Sequence, residues 1–490
     1  MKILFATPEC APYVKTGGLG DVSAALPPAL AALGHDVRVL MPVYSGMKVK
    51  GEAGESIEIP AQGPWPAAQL LSITPERGVP LLLVACREYY DRPGGPYVSD
   101  TGQDYHDNAM RFGFLARIAA ATGTSASPCT DWQADVVHAN DWPCALAPLY
   151  LAQARSLLVH EPTAASVMTI HNLAFQGIFN MGMADPLGIP DIWRGIEGVE
   201  FWGQMSMLKA GLQFADAITT VSPTYAREIQ TEAFGAGLHG VLQARSSKLT
   251  GILNGIDAGL WNPEIDGLIA HRYSAKDFDG KAANKAALQQ RCGLARDPGA
   301  MVFAVVSRLT PQKGIDLVLG ALQGLLAQNA QLVVLGVGEP SLQDALLTAA
   351  HMAPLSVSVT LGFDEPLAHL IEAGADCFLM PSQFEPCGLN QMYSQAYGTP
   401  PVVAATGGLA DSVIDASADP VNGSGFIMKS QSVDGLREAC DRAMLAWRDP
   451  SRWNRIQVNG MSRDFGWEQS AKRYVEVYEG AIASNLQPGA

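Results

Sequence analysis

Short apolar runs rich in β-branched residues alternate along this chain with longer stretches rich in alanine and leucine. The apolar runs predict strands at 2–5, 36–40, 81–85, 135–138, 166–170 and 217–221 in the first half. In the second half they predict strands at 301–306, 331–335, 357–361, 377–380 and 401–404. The stretches between them read as helices, the first from Val22 to Leu33. This alternation is the pattern of a doubly wound, mostly parallel α/β sheet. A chain of 490 residues is too long for one ordinary core, so two domains of roughly 200–250 residues are expected. The turn-rich stretch 249–263, with glycines at 251, 255 and 259, reads as the crossover between them. The expected division is a Rossmann-like domain over 1–248, the crossover over 249–263, and a second Rossmann-like domain over 264–465. The segment 466–490 is expected to form a last helix, since Trp467 to Ile482 has apolar residues at helical spacing.

Composition narrows the class. The formal net charge is −15, which argues against nucleic acid or an anionic membrane as the main partner. Any anionic ligand must then be held by local basic residues. No apolar run reaches the roughly 18–20 residues needed to cross a bilayer, and the first strand starts directly after Met1, so no signal peptide is expected. The eight cysteines stand singly, without CxxC or zinc-like spacing. That usage fits reduced thiols in a cytoplasm.

The chemistry-bearing segments follow predicted strands. Lys15-Thr16-Gly17-Gly18-Leu19-Gly20-Asp21 comes after the first. A strand, a glycine turn and a helix N-terminus make an anion site, because backbone amides and the helix dipole point at the guest, and Lys15 adds a full charge at its lip. A diphosphate or nucleotide sugar suits it; the alternative is a tight turn with no ligand. After the strand 301–306, Ser307 to Gly314 (SRLTPQKG) sets Arg308 and Lys313 five apart across a turn. They offer a planar fork and a mobile point charge for phosphate, or else a surface ion pair. Glu385, in Gln383 to Leu389 (QFEPCGL), follows the strand 377–380 and could instead be a helix N-terminal acid favoured by the dipole. His171 follows the strand 166–170, where a lone histidine is often structural. Thr406 to Asp411 (TGGLAD) echoes the first glycine turn. Lys15, His171, Arg308, Lys313 and Glu385 thus fall at the carboxyl ends of strands, where open α/β sheets bind ligands. No acidic cluster of the DxD type is present, so no metal and no cofactor is expected, the basic residues meeting the diphosphate instead.

Together with His171 to Gly177 (HNLAFQG), these segments closely resemble the bacterial glycogen synthases and plant starch synthases, retaining glucosyltransferases of the GT-B fold. The resemblance runs in the family's order from residue 1 to about residue 480. It implies two Rossmann-like domains facing a central cleft, with the last helix crossing back onto the first domain. It also implies transfer of glucose from ADP-glucose to the non-reducing 4-hydroxyl of an α-1,4-glucan (glycogen), with retention and release of ADP. It further implies that Lys15, His171, Arg308, Lys313 and Glu385 are catalytic. Arg308 and Lys313 would neutralise the departing diphosphate, Glu385 would contact the glucose 3-hydroxyl, and His171 would lie beside its 6-hydroxyl. Gly17, Gly18, Asn254, Lys285, Phe363, Cys387, Gly388, Leu389 and Thr406 match donor-site positions, Phe363 standing where the family often has a tyrosine stacked on adenine. Asp21 and Asp141 serve the acceptor side or helix capping. Many retaining GT-B enzymes carry a second glutamate eight positions after the first, where this chain has Tyr393. With no side chain placed as a nucleophile, the resemblance favours a front-face route. The crossover glycines suit a hinge, and closure by nucleotide sugar would bring Lys15 onto the diphosphate. The rivals are a related transferase using UDP-glucose and a non-catalytic nucleotide-sugar sensor.

Overall fold

The computed structural model describes residues 1–157 and 161–485. It divides into two compact units, Met1–Asn254 with the chain from Trp467 onward, and Gly255–Gly466. Positions 486–490 of the expected last segment lie outside the described residues.

The first unit contains β1 (Lys2–Ala6), β2 (Asp36–Pro42), β3 (Gly51–Ile59), β4 (Ala68–Pro75), β5 (Leu81–Ala85), β6 (Val136–Asn140) and β7 (Ala165–Ile170). These are followed by β8 (Ile178–Phe179), β9 (Glu200–Phe201), β10 (Gln204–Ser206), β11 (Ala217–Thr220) and β12 (Leu249–Gly251). Among the described residues the main sheet has nine strands in the order β12-β11-β7-β6-β1-β2-β5-β4-β3, and β8-β10-β9 form a small separate sheet. Pairing is parallel from β12 through to β5, then antiparallel from β5 to β4 and from β4 to β3. The β3–β4 hairpin went unread in the sequence because β3 (GEAGESIEI) is polar and exposed along most of its length. It is held by its ladder to β4, which buries Ala68 and Leu70.

The expected crossover is corrected at its start. Leu249, Thr250 and Gly251 pair in parallel with Ile218, Thr219 and Thr220, so backbone hydrogen bonding makes them an edge strand of the first sheet. The first unit therefore runs on to Asn254 rather than stopping at 248. Its core packs Ile3, Phe5, Val37, Val39, Val136 and Val167 against Val22, Leu26 and Leu30 of the helix Gly18–Ala32. The helix Trp467–Asn485 adds Trp467, Ala471, Tyr474 and Tyr478, whose spacing of three and four residues makes one apolar face. The Tyr478 hydroxyl hydrogen-bonds His138 Nδ1 at 2.8 Å.

The second unit contains β13 (Met301–Val306), β14 (Ala330–Gly336), β15 (Val357–Leu361), β16 (Cys377–Met380), β17 (Pro401–Val403) and β18 (Phe426–Ile427). Among the described residues they form one parallel sheet, β15-β14-β13-β16-β17-β18. Met301, Phe303 and Val305 of β13 enter one core cluster while Val302 and Ala304 enter another. Alternate side chains of one strand thus feed both faces, as a strand covered on both sides requires. No helix among the described residues is long and apolar enough to cross a membrane.

Candidate active site

In the first unit the chain leaves β1 and enters the glycine turn ahead of the helix Gly18–Ala32, with Gly17 extended at the N-cap. The helix starts four residues before Val22, so the turn is tighter than its sequence suggests. Two amides just ahead of the helix, those of Thr16 and Gly17, already have an anion. The buried Glu9 carboxylate accepts from Thr16 N at 2.5 Å and Gly17 N at 3.2 Å through Oε2, and from the Tyr97 hydroxyl at 2.9 Å through Oε1. Burial pushes the Glu9 carboxyl up, against the pull of the Thr16, Tyr97 and Gly17 hydrogen bonds. Sequence reasoning missed both residues. Glu9 lies close to the turn and was open to suspicion; Tyr97 is 88 positions further on and has no local signal.

A Cβ on Gly17 or Gly18 would meet nothing within 4 Å, whereas one on Gly20 would stand 3.1 Å from the Lys15 stem. Gly20 therefore lets Lys15 lie along the first helical turn, while the backbone at Gly17 and Gly18 faces open space where a ligand can approach closely. Lys15 Nζ is 2.7 Å from Asp21 Oδ1, so Asp21 steers the lysine and is no N-cap.

His171 and Asp141 are joined. Asp141 follows β6 with a left-handed φ of 51°, and its Oδ1 accepts from His171 N at 2.7 Å and Asn172 N at 3.4 Å. Its carboxylate thus caps the turn that carries His171. Asn140 Nδ2 donates to Ala6 O at 2.9 Å, which turns Oδ1 toward His171 Nε2, also at 2.9 Å. Assigned from this network, Nε2 carries the proton and Nδ1 keeps a lone pair. Burial lowers the His171 pKa to about 3, so at neutral pH the ring is an uncharged acceptor, suited to a sugar hydroxyl. Asn254 is buried, and its Oδ1 has no partner among the described residues.

Burial raises the Asp141 carboxyl to about 7, against the His171 and Asn172 amides. A carboxyl whose folded pKa exceeds its unfolded value stabilises the fold while protonated. That contribution is complete below about pH 4 and lost as pH rises through about 7. Asp141→Asn keeps an acceptor for the His171 amide and removes this titration. Thermal unfolding of wild type and variant at pH 5 and pH 8 should show the wild type losing more stability than the variant on going up. Parallel pH profiles would remove Asp141 as the cause.

In the second unit Arg308 leaves β13 exposed, 3.3 Å from Gln312 Oε1, with no carboxylate partner among the described residues. Lys313 ends a short 3₁₀ turn before Gly314, whose φ is 69°. A Cβ on Gly314 would lie 2.2 Å from Pro381 O, so its absence lets the loop after β16 close in. That loop is tied by Gln383 N to Gln312 O at 2.8 Å and Gln312 Nε2 to Phe384 O at 3.1 Å. The result is a largely buried ion pair, Lys313 Nζ to Glu385 Oε2 at 2.5 Å, with Ser382 Oγ donating to the same oxygen at 3.1 Å. Glu385 is not a helix N-terminal acid, since the following helix, Asn390–Ala396, begins five residues later.

Thr406 stands at the N-cap position of the helix Gly407–Ser412, which packs under this loop: Gly408 N donates to Glu385 O at 3.2 Å. Cys387 is buried, Gly388 has φ 70°, and Leu389 stands at the N-cap position of Asn390–Ala396. Tyr393 stacks on Trp261 at 3.9 Å, a packing role that leaves no second acid at that position. Phe363, after β15, is 87% exposed, and its ring has no aromatic partner among the described residues. Arg308, Lys313, Glu385, Phe363 and Thr406 all follow carboxyl ends of this sheet. Lys285 is a correction. Its Nζ is 2.7 Å from Asp376 Oδ2 and 3.2 Å from Pro298 O, and Asp376 precedes β16 while accepting from Val302 N at 2.8 Å. The helix Asp279–Arg291 thus turns Lys285 into a buried ion pair at the amino edge of the sheet, away from the donor positions.

Comparison with known proteins identifies the family. Residues 2–244 match the starch synthase catalytic domain, and residues 289–457 match glycosyl transferases group 1. A glycogen synthase of Paracidovorax citrulli is 60% identical over 98% of this chain and 95% of its own length. One of Dechloromonas aromatica is 51% identical over 99% of both. The catalytic domain of starch synthase IV from Arabidopsis thaliana, solved bound to ADP and acarbose, superposes with a TM-score of 0.87 at 31% identity, covering 98% of this chain and 99% of its own. A sucrose-phosphate synthase from Thermosynechococcus elongatus shares the fold, with a TM-score of 0.60 at 18% identity over 99% of both. The chain belongs to the glycogen synthase family, the starch-synthase-type glycosyltransferases of the GT-B fold.

Proposed function

We propose that this enzyme moves glucose from ADP-glucose to the non-reducing 4-hydroxyl of an α-1,4-glucan, with retention, in the cytoplasm and without a metal or cofactor. The observation that carries this reading is the buried Lys313–Glu385 pair beside the exposed, carboxylate-free Arg308. A cation at rest against an acid, next to a second cation open to solvent, suits a leaving group whose charge grows as the glycosidic bond breaks. In this reading Arg308 binds the diphosphate as a fork, Lys313 shares its charge between Glu385 and the departing phosphate, and Glu385 meets a glucose hydroxyl. Lys15 adds a further phosphate contact, neutral His171 accepts from a sugar hydroxyl through Nδ1, and Asn254 offers its open Oδ1. The leaving phosphate then takes the proton of the acceptor hydroxyl on the same face, which accounts for retention without a nucleophilic side chain.

Phe363 supplies an adenine platform without the tyrosine hydroxyl, since stacking uses the ring face. Incorporation of labelled glucose into glycogen should be far greater from ADP-glucose than from UDP-glucose at equal concentration, and should persist in excess EDTA. Comparable rates with both donors would overturn the donor assignment. Loss in EDTA with recovery on adding Mg²⁺ or Mn²⁺ would overturn metal independence, and no transfer from either donor would leave the sensor reading.

A further inference from the structure

The β9–β10 hairpin of the first unit carries a feature that the transfer reaction leaves unused. Its two-residue turn is Trp202-Gly203, with φ of 52° and 78°. Positive φ at both positions is the type I′ pattern, for which Asn-Gly is the favoured pair. A bulky aromatic in left-handed backbone is an outlier, and this one is also 82% exposed. Folding alone favours another residue here on both counts. Strain of this kind persists where the surroundings fix it, and it clusters at functional positions.

The surroundings do fix it. Glu200 Oε1 accepts from Gly203 N at 2.7 Å, and Lys209 Nζ clamps the Glu200 and Ile196 carbonyls at 2.5 Å each. The indole sits edge-on to Phe201, and a Cβ on Gly237 would stand 3.4 Å from Trp202 Nε1. The Gly237 loop is tied by Gln176 Nε2 to Ala236 O at 2.8 Å, while the buried Gln176 Oε1 has no partner among the described residues. A fixed ring face therefore stands in solvent, with an indole N–H and the exposed Gln204 beside it.

We propose that Trp202 is a glucan-docking platform, separate from the catalytic residues, which stacks on the apolar face of a glucose unit in the polymer. This rests on the transferase reading above. One aromatic ring offers about 150–250 Å², well short of the roughly 800 Å² per partner that a stable protein interface needs, but matched to a sugar ring. An uncharged polymer also meets no repulsion from a chain of net charge −15. Holding a branched acceptor at a second point raises the effective concentration of its chain ends.

The test is affinity electrophoresis in glycogen without donor, comparing wild type, Trp202→Ala and Trp202→Asn. Kinetics with glycogen and with maltotriose, and light scattering, complete it. Both variants should bind glycogen about 2- to 12-fold more weakly, the range of an aromatic contact, with KM for maltotriose unchanged from wild type. Trp202→Asn should unfold at the same or a higher temperature, because asparagine suits the turn. Activity on maltotriose checks the transferase reading independently of glycogen retention. Unchanged glycogen binding in both variants overturns the platform. So does a fall in oligomeric state on substitution, which assigns the ring to a second copy of the chain.

Discussion

Lys313→Ala should lower kcat/KM for ADP-glucose by roughly 10²- to 10³-fold, the usual loss when one preorganised group facing developing charge is removed. It should also destabilise the second unit. The side chains of Lys313 and Glu385 are only 17% and 9% exposed, so the variant leaves a buried carboxylate without its cation, a change that costs about 3–5 kcal/mol. The two effects separate in a double variant. Lys313→Ala with Glu385→Gln removes the stranded charge and should recover most of the stability while leaving the rate depressed. A double variant as fast as Glu385→Gln alone would mean that Lys313 serves the fold alone. Steady-state kinetics beside chemical denaturation of the wild type, the two single variants and the double variant decides the matter.

Lys15→Ala should give the complementary result, a large loss of activity with little change in stability. The Lys15–Asp21 pair is 46% and 31% exposed, and such pairs contribute about 0–1 kcal/mol. A charge-assisted phosphate contact contributes about 1.5–3 kcal/mol, so the expected loss in kcat/KM is roughly 10- to 150-fold. Lys15→Gln should not restore it, since the amide donates hydrogen bonds but carries no charge. Near-normal rate and donor KM in Lys15→Ala would remove Lys15 from the reaction.

Strands buried on both faces were legible because nearly their whole length is apolar, as in β13 and in β14, where Gln331 alone is polar. The β3 strand was not, since it is an exposed arm recognised by its partner and not by its own pattern. The site divides in the same way. Arg308, Lys313 and Glu385 were readable from motifs that follow strands. Their pairing was not, because it depends on Gly314 admitting a loop some 70 positions away in sequence, Glu385 being 72 residues from Lys313. The glycine turn was readable as a strand-to-helix turn, but the Glu9 carboxylate on its Thr16 and Gly17 amides was not, since its other partner, the Tyr97 hydroxyl, lies 88 positions further on. Lys285 misled for the opposite reason. Its local sequence fits a donor position, while the helix that carries it faces the other edge of the sheet.

The location of Glu385 is set in part by atoms that are absent. A Cβ on Gly407 would stand 1.9 Å from the Glu385 carbonyl oxygen, and one on Gly408 would stand 2.1 Å from that of Cys387. Glycine-to-alanine exchange at a compatible site stabilises proteins by about 0.4–1 kcal/mol through the unfolded chain. Here the same exchange would press one methyl group into the backbone beneath the carboxylate. Substitutions at 385–389 alter which groups the loop offers, whereas Gly407→Ala or Gly408→Ala shifts those groups without altering any of them. The two glycines are therefore a mechanical handle, by which the position of a functional group can be varied while its identity stays constant.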